Sequence, residues 1–194
     1  AHGALNTVAA GFMKIADDIR WLASGPTSGL AEIRLPAIQP GSSIMPGKVN
    51  PVLAEVLMMV AARVAGNQTT LTLAAGRGNF ELNVMMPVMA QGFLESATLL
   101  ANAGVTFAER CVRGIEANEE RARQLLELNP AIATALNIHI GYDKASEVAK
   151  RAAKEGRSVR EIVLEMELLS PETVDEALDV RGMTEPGLPG ESGS

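Results

Sequence analysis

Ser42, Ser43, Lys48 and Asn50 lie together on the stretch Gly41-Ser42-Ser43-Ile44-Met45-Pro46-Gly47-Lys48-Val49-Asn50-Pro51, which offers two hydroxyls, one ammonium and one amide to a reacting molecule. Its glycines permit backbone angles closed to other residues, and its prolines fix φ and push the residue before each toward extended structure. The combination predicts a mobile polar loop. A phosphate cradle does not fit: the P-loop pattern has four residues between its glycines and a Ser or Thr after the Lys, whereas five residues separate Gly41 from Gly47 and Val49 follows Lys48. Serine nucleophile chemistry usually draws on a histidine base, and both histidines, His2 and His139, are far from the loop in sequence. Proton abstraction beside a carboxylate fits better, because it creates a dianionic, carbanion-like state that needs fixed cationic and hydrogen-bonding donors. Lys48, Asn50 and the loop amides supply such donors.

A loop of this kind needs rigid elements around it. Asn50 can cap, and Pro51 can take the first position of, a helix running from Val52 to about Ala74. The early half of that helix is apolar nearly all round (Val52, Leu53, Val56, Leu57, Met58, Met59, Val60), which predicts burial on most sides. Glu55 near its first turn has two readings that the residues alone leave open. It is either a charge placed favourably in the helix dipole, worth ~0.3–1 kcal/mol, or a group that orients a partner in the site. Upstream, Leu5, Val8, Phe12, Ile15, Ile19 and Leu22 recur at the spacing of an amphipathic helix that Gly25-Pro26 ends. That helix starts at Ala1 without a methionine or a cap, so the chain reads as the downstream part of something longer. Residues 25–51 form an irregular, proline-rich connection, longer than usual and therefore expected to be functional. After a break at Gly76–Asn83, a third helix is predicted from Val84 to about Arg113, with Pro87 in its first turn and a length of roughly 45 Å at about 1.5 Å per residue. Met58, Met59, Met85, Met86 and Met89 read as adaptable core packing, since no cysteine or histidine accompanies them as a metal ligand. Three helices of this length call for partners.

Composition narrows the function classes. With 194 residues, 47% hydrophobic and 21% charged, the chain can bury a sizeable core. A net charge of −6 gives no footprint for nucleic acid or an anionic membrane, and no apolar run reaches the length of a membrane span. The single cysteine, Cys111, rules out an internal disulfide framework and suits a reducing compartment, which points to the cytoplasm. No cofactor is expected, and no ligand cluster supports a metal or an iron-sulfur centre.

The loop string resembles the signature of the fumarase/aspartase superfamily, whose members split a C–N or C–O bond beta to a carboxylate. Asp18 to Pro26 before it, Gly78 to Val84 after it, and Asn137 to Lys144 near the end are similar to class II fumarases. Aspartate ammonia-lyases share the loop but typically carry a Gln-Leu-Gln-Leu-Asn-Val type of sequence where this chain has Asn79-Phe80-Glu81-Leu82-Asn83-Val84. Thr27 and Ser28 depart from the Arg-Cys found in many fumarases. The resemblance implies interconversion of L-malate with fumarate and water. It makes Ser42 the base that removes the C3 proton, Ser43, Lys48, Val49 and Asn50 substrate-binding, and Glu55 the partner of a catalytic histidine from another segment. It also implies a homotetramer with active sites shared between subunits, a small dicarboxylate substrate, and little or no activity for this chain alone, since the upstream active-site regions are absent from it.

The fold class expected is all-α. Residues 1–113, with the loop 41–51, form part of a central helical bundle. Residues 114–181 form a small C-terminal helical domain of short, charge-rich helices, several with caps such as Asn118, Ser158 and Ser170. Residues 182–194 read as a disordered tail. His139, between Ile138 and Ile140, reads as structural. Aspartate ammonia-lyase, a substrate-binding protein without turnover and a non-catalytic helical oligomerisation module remain the alternatives.

Overall fold

The computed structural model describes residues 1–185. It is all-α apart from one short strand pairing, and it divides into two compact units, Ala1–Asn118 and a second that begins at Glu119. Three long helices build the first: α1 (His2–Leu22), α2 (Val52–Ala75) and α3 (Met86–Arg110). α2 packs extensively along both others, which touch each other little.

The seam between α1 and α2 follows a seven-residue spacing of alanines, Ala9 and Ala16 on one helix and Ala54 and Ala61 on the other, all buried. Ala16 clusters with Ala54 and Leu57, Ala9 with Ala61 and Val64, so the two helices run antiparallel. Heptad-spaced small residues let the backbones approach, and Leu57, Val64, Leu100 and Phe107 fill the space between the three helices. Each such side chain contributes roughly 1.5–3 kcal/mol by leaving water.

One more heptad back along the seam stands His2, 6% exposed. Its Nδ1 lies 2.7 Å from Gln68 Oε1 and its Nε2 2.9 Å from Ser96 Oγ. The Thr72 hydroxyl donates to the Gln68 carbonyl and so accepts from Gln68 Nε2. That turns Gln68 Oε1 toward the ring and makes His2 Nδ1 the donor. Asn67 Nδ2 donates to Ser96 Oγ at 3.0 Å and to Glu95 Oε2 at 2.8 Å, and Arg63 pairs with Glu95 through Nε and Nη2. Buried polar groups are thus satisfied in one network where the apolar seam ends.

The elements match the sequence reading closely, with three differences. α3 is shorter than expected, 25 residues or about 38 Å. At its start Asn83 accepts from the Met85 N–H and donates to the Ala74 carbonyl, and at its end Cys111 leads into a 3-10 turn, Val112–Gly114. Pro51 is the N-cap of α2 and not its first residue, so Asn50 lies one position too far out to cap, and its Nδ2 donates to the Gly41 carbonyl instead. The first unit also extends past residue 113: β1 (Ile33–Arg34) pairs antiparallel with β2 (Glu116–Ala117), and Asn118 Nδ2 donates to the Ala31 carbonyl. This pairing ties residues 114–118 to the bundle.

The second unit contains α4 (Glu119–Glu127), a 3-10 segment (Pro130–Leu136), α5 (Asn137–Ile140), α6 (Tyr142–Glu155), α7 (Val159–Glu165) and α8 (Pro171–Ala177). Leu136, Val148, Val159, Ile162, Val163 and Val174 form its core, each fully buried. The caps fall where the sequence places them: Ser158 and Glu161 form a reciprocal capping box, Ser170 accepts from the Thr173 N–H, and Gly156 ends α6 at φ 63°. Gly182–Thr184 close a 3-10 turn where a disordered tail was expected, because Asp179 and Arg181 carbonyls accept from Met183 and Thr184. Residues 186–194, the rest of that expected tail, lie outside the described residues.

Leu57→Ala is expected to lower the unfolding free energy by about 2–5 kcal/mol, measured by urea titration. A smaller loss would mean that the seam closes over the cavity. The bonds from Asn67 and Arg63 hold the Glu95 carboxyl below its ordinary value of 4.5. A depressed carboxylate stabilises the fold above that value and loses its contribution as pH falls toward the folded pKa. Glu95→Gln should therefore flatten the dependence of melting temperature on pH below about 4.5; an unchanged acid limb would exclude this origin.

Candidate active site

The loop between β1 and α2 closes on itself through main-chain contacts. Gly41 N–H donates to the Lys48 carbonyl at 2.8 Å, and the Gly41 carbonyl accepts from Asn50 Nδ2 at 2.8 Å. A Cβ at Gly41 would stand 2.4 Å from the Lys48 carbonyl oxygen, so only glycine permits this neck. Gly47 turns the chain at φ 76°. The neck joins directly to α2, where the Pro51 carbonyl accepts from the Glu55 N–H at 3.1 Å.

Within the loop, Ser42 Oγ accepts two backbone N–H bonds, from Ile44 and Met45, each 3.1 Å long. Hydrogen bonds that point at an oxygen favour its anionic form. Ser43 is exposed and makes no such contact.

Two concavities adjoin the loop. A cleft of about 860 Å³ is lined by Lys48, Val49, Asn50 and Glu55 on one side, and by Arg20, Trp21, Ser24 and Arg34 among others on the opposite wall. A smaller depression of about 390 Å³ is lined by Gln39, Ser42, Met45 and again Gly47, Lys48 and Val49. The structure thus gathers Lys48, Val49, Asn50 and Glu55 in one cleft. It places Ser42 across the strand of loop that carries Lys48, and it puts Ser43 in neither concavity. Of the histidines, His2 is held by Gln68 and Ser96, and His139 is exposed on α5 of the second unit.

Electrostatically the cleft is cationic within an acidic chain, with Arg20, Arg34 and Lys48 against Glu55. Such a wall selects anions. Glu55 is half-buried and has no side-chain partner among the described residues. Arg20 and Arg34 escaped the sequence reading. The signal available for Arg20 was its place in the last turn of α1, next to the proline-rich connection; for Arg34 there was none, since the strand pairing that presents it is two residues long. Among the described residues no group of three His, Cys, Asp or Glu is arranged to hold a metal ion, and no helix is long and apolar enough to cross a membrane.

Residues 1–66 match the family described as Lyase, and residues 132–185 match that described as Fumarase C C-terminus. The chain is 54% identical, over 95% of its length, to the class II fumarate hydratase of Bacillus cereus. This chain belongs to the class II fumarase family. Among solved structures, a fumarate lyase:delta crystallin of Brucella melitensis superimposes with a TM-score of 0.90 at 46% identity over 95% of this chain and 40% of that one. A class II fumarase of Schistosoma mansoni does so at 0.87 and 39%, over 95% of this chain and 39% of that one. The chain spans about 40% of the length of the Bacillus cereus relative. The Lyase match includes the whole signature loop and Glu55, and the Fumarase C match falls inside the second unit.

Gly41→Ala is expected to open the neck. Loss of its two hydrogen bonds, each worth about 1 kcal/mol, should raise tryptic cleavage after Lys48 at least roughly tenfold, with helix content by circular dichroism unchanged. Cleavage at the wild-type rate would show that the loop does not depend on this closure.

Proposed function

We propose that this chain carries one region of the active site of a fumarate hydratase, a lyase that interconverts L-malate with fumarate and water by anti-elimination. The observation that supports it most directly is the pair of loop amides aimed at Ser42 Oγ. An ordinary serine is a poor base, and it becomes a useful one only where its alkoxide is favoured. Two N–H donors on the oxygen, with the Lys48 ammonium on the same loop, provide that bias. Ser42 then takes the C3 proton of malate. The electron pair left behind spreads into the adjacent carboxylate, and Lys48, Asn50 and the main chain at Val49 stabilise the resulting dianion, with Ser43 completing the contacts to substrate. Elimination expels the C2 oxygen as water once a donor supplies a proton. Glu55, half-buried on the cleft wall and without a side-chain partner among the described residues, then holds a histidine brought by another segment.

The same reading accounts for the outer faces of the helices. Val8 and Ile15 on α1, Met59 and Leu73 on α2, and Leu94 and Val105 on α3 are 46–65% exposed. Apolar faces of this extent favour association, and a homotetramer that buries them would bring regions from several subunits to one cleft. Without a complementary region the isolated chain has little or no turnover. The buried reduced thiol of Cys111, whose pKa burial pushes up, suits the cytoplasm.

Fumarate absorbance is followed with L-malate, first with this chain and then with this chain mixed with the upstream portion of the Bacillus cereus relative. Turnover is expected only in the mixture, at the four-chain mass by light scattering, and Ser42→Ala should lower kcat by about 10²–10⁴-fold. An assembled mixture that releases ammonia from aspartate and leaves malate untouched would replace this function with that of an aspartate ammonia-lyase.

A further inference from the structure

The wall of the cleft that faces the loop holds a guanidinium with incomplete hydrogen bonding. Arg20 Nη1 donates to Asp17 Oδ1 at 3.2 Å and lies 3.8 Å from Met58 Sδ, a weak acceptor. Its Nε is buried and has no partner, and its Nη2 has none among the described residues. Arginine keeps its proton in proteins, so it remains a cation whether or not these bonds are made.

Its position is set by two rigid elements. The stem leaves the last turn of α1, and the Met58 contact fixes the head against α2. Met58 follows Glu55 by three residues, so Arg20 stands about one helical turn along the α2 face that carries the carboxylate. Arg34 lines the same cleft but is exposed on a two-residue strand with no side-chain contact to hold it. Of the two arginines, Arg20 is therefore the pre-organised one. A partly desolvated cation with an unused donor gains more from an anionic partner than one already solvated by water.

We propose that Arg20 is a substrate-binding residue of this site, which takes one carboxylate of the dicarboxylate through Nη2 from the α1 side while Lys48 and Asn50 take the other from the loop. The assignment rests on the dicarboxylate reading of the cleft given above. It explains why a cleft needing to hold a dianion has positive charge on both walls, and why the buried side-chain nitrogen without a partner belongs to an arginine of this cleft. It also defines specificity: a monocarboxylate satisfies the loop side alone and leaves Arg20 unpaired.

Trp21, the single tryptophan, lines the cleft beside Arg20 and is 62% exposed, so its fluorescence reports occupancy. The chain is titrated with succinate and with butyrate, four-carbon acids that differ by one carboxylate, as wild type, Arg20→Gln, Arg20→Lys and Arg77→Gln. Arg20→Gln is expected to weaken succinate at least roughly tenfold, the scale of one charge-assisted hydrogen bond, with butyrate affinity and melting temperature unchanged. Arg20→Lys should fall between, and Arg77→Gln, at an exposed arginine outside the cleft, should stay near wild type. Wild-type affinity in Arg20→Gln, an equal loss for both acids, or no saturable response in the wild-type chain would each overturn the assignment. If Arg20→Gln does not fold, Arg20→Lys decides: succinate binding equal to wild type overturns it, and weaker binding at an unchanged melting temperature supports it. In the assembled mixture Arg20→Lys should raise the KM for malate and leave kcat within about threefold. Failure of the hydratase reading is a separate result, namely absence of malate turnover in the wild-type mixture whatever succinate does in the titration.

Discussion

Gly41 presents its N–H to the Lys48 carbonyl and its carbonyl to the Asn50 amide, and this main-chain closure decides what the signature loop can do. A side chain there would collide with the Lys48 carbonyl. Because the neck is closed, the residues between it form a compact turn in which Ile44 and Met45 aim their N–H groups at Ser42 Oγ. Because it is joined to the start of α2, the turn is anchored to the most heavily packed helix of the first unit. Asn50 thus has two duties, holding the neck with its amide and lining the cleft, and a capping role for it was never available.

The rigidity that the loop borrows comes from an alanine seam. Alanine at seven-residue intervals contributes little buried area by itself, and it works by letting α1 and α2 approach until Phe12, Leu57 and Val64 interlock. The polar network of His2, Asn67, Gln68 and Ser96 lies at the end of that seam, where hydrogen bonds carry direction that apolar contacts lack. A one-turn slip of either helix would leave several of these groups buried and unpaired. The network therefore sets the register that delivers Glu55 and Met58 to the cleft. The cost of so thin a seam is visible on the outside, where large apolar side chains of the same helices remain exposed.

Charge in this protein is divided between location and total. The chain carries a net −6, yet the cleft walls hold three cations and one carboxylate. Elsewhere charged side chains such as Lys14 with Asp18, Arg113 with Glu109 and Arg151 with Glu155 pair within short helical spans, and such exposed pairs contribute little. A net negative charge disfavours nucleic acid and anionic membranes, while the local positive potential of the cleft favours anions.

The helices, their order and the position of the loop were legible in the sequence, because apolar periodicity, Gly-Pro stops and local caps act over a few residues. Ser158 with Glu161 and Ser170 with Thr173 show this, since their partners are three positions away. The family resemblance proposed Ser42, Ser43, Lys48, Val49 and Asn50 from the signature string and Glu55 from its offset beyond it. Tertiary structure alone decided which of them share a cleft, that Ser42 lies on the other side of the loop strand, and that Arg20 faces them from α1. It also extended the first unit to Asn118, through a pairing of residues 33–34 with 116–117 that two-residue strands cannot announce. The reason is range: a cap or a period is encoded between neighbours, whereas a cleft wall is set by the register of helices whose contacts are separated by tens of residues.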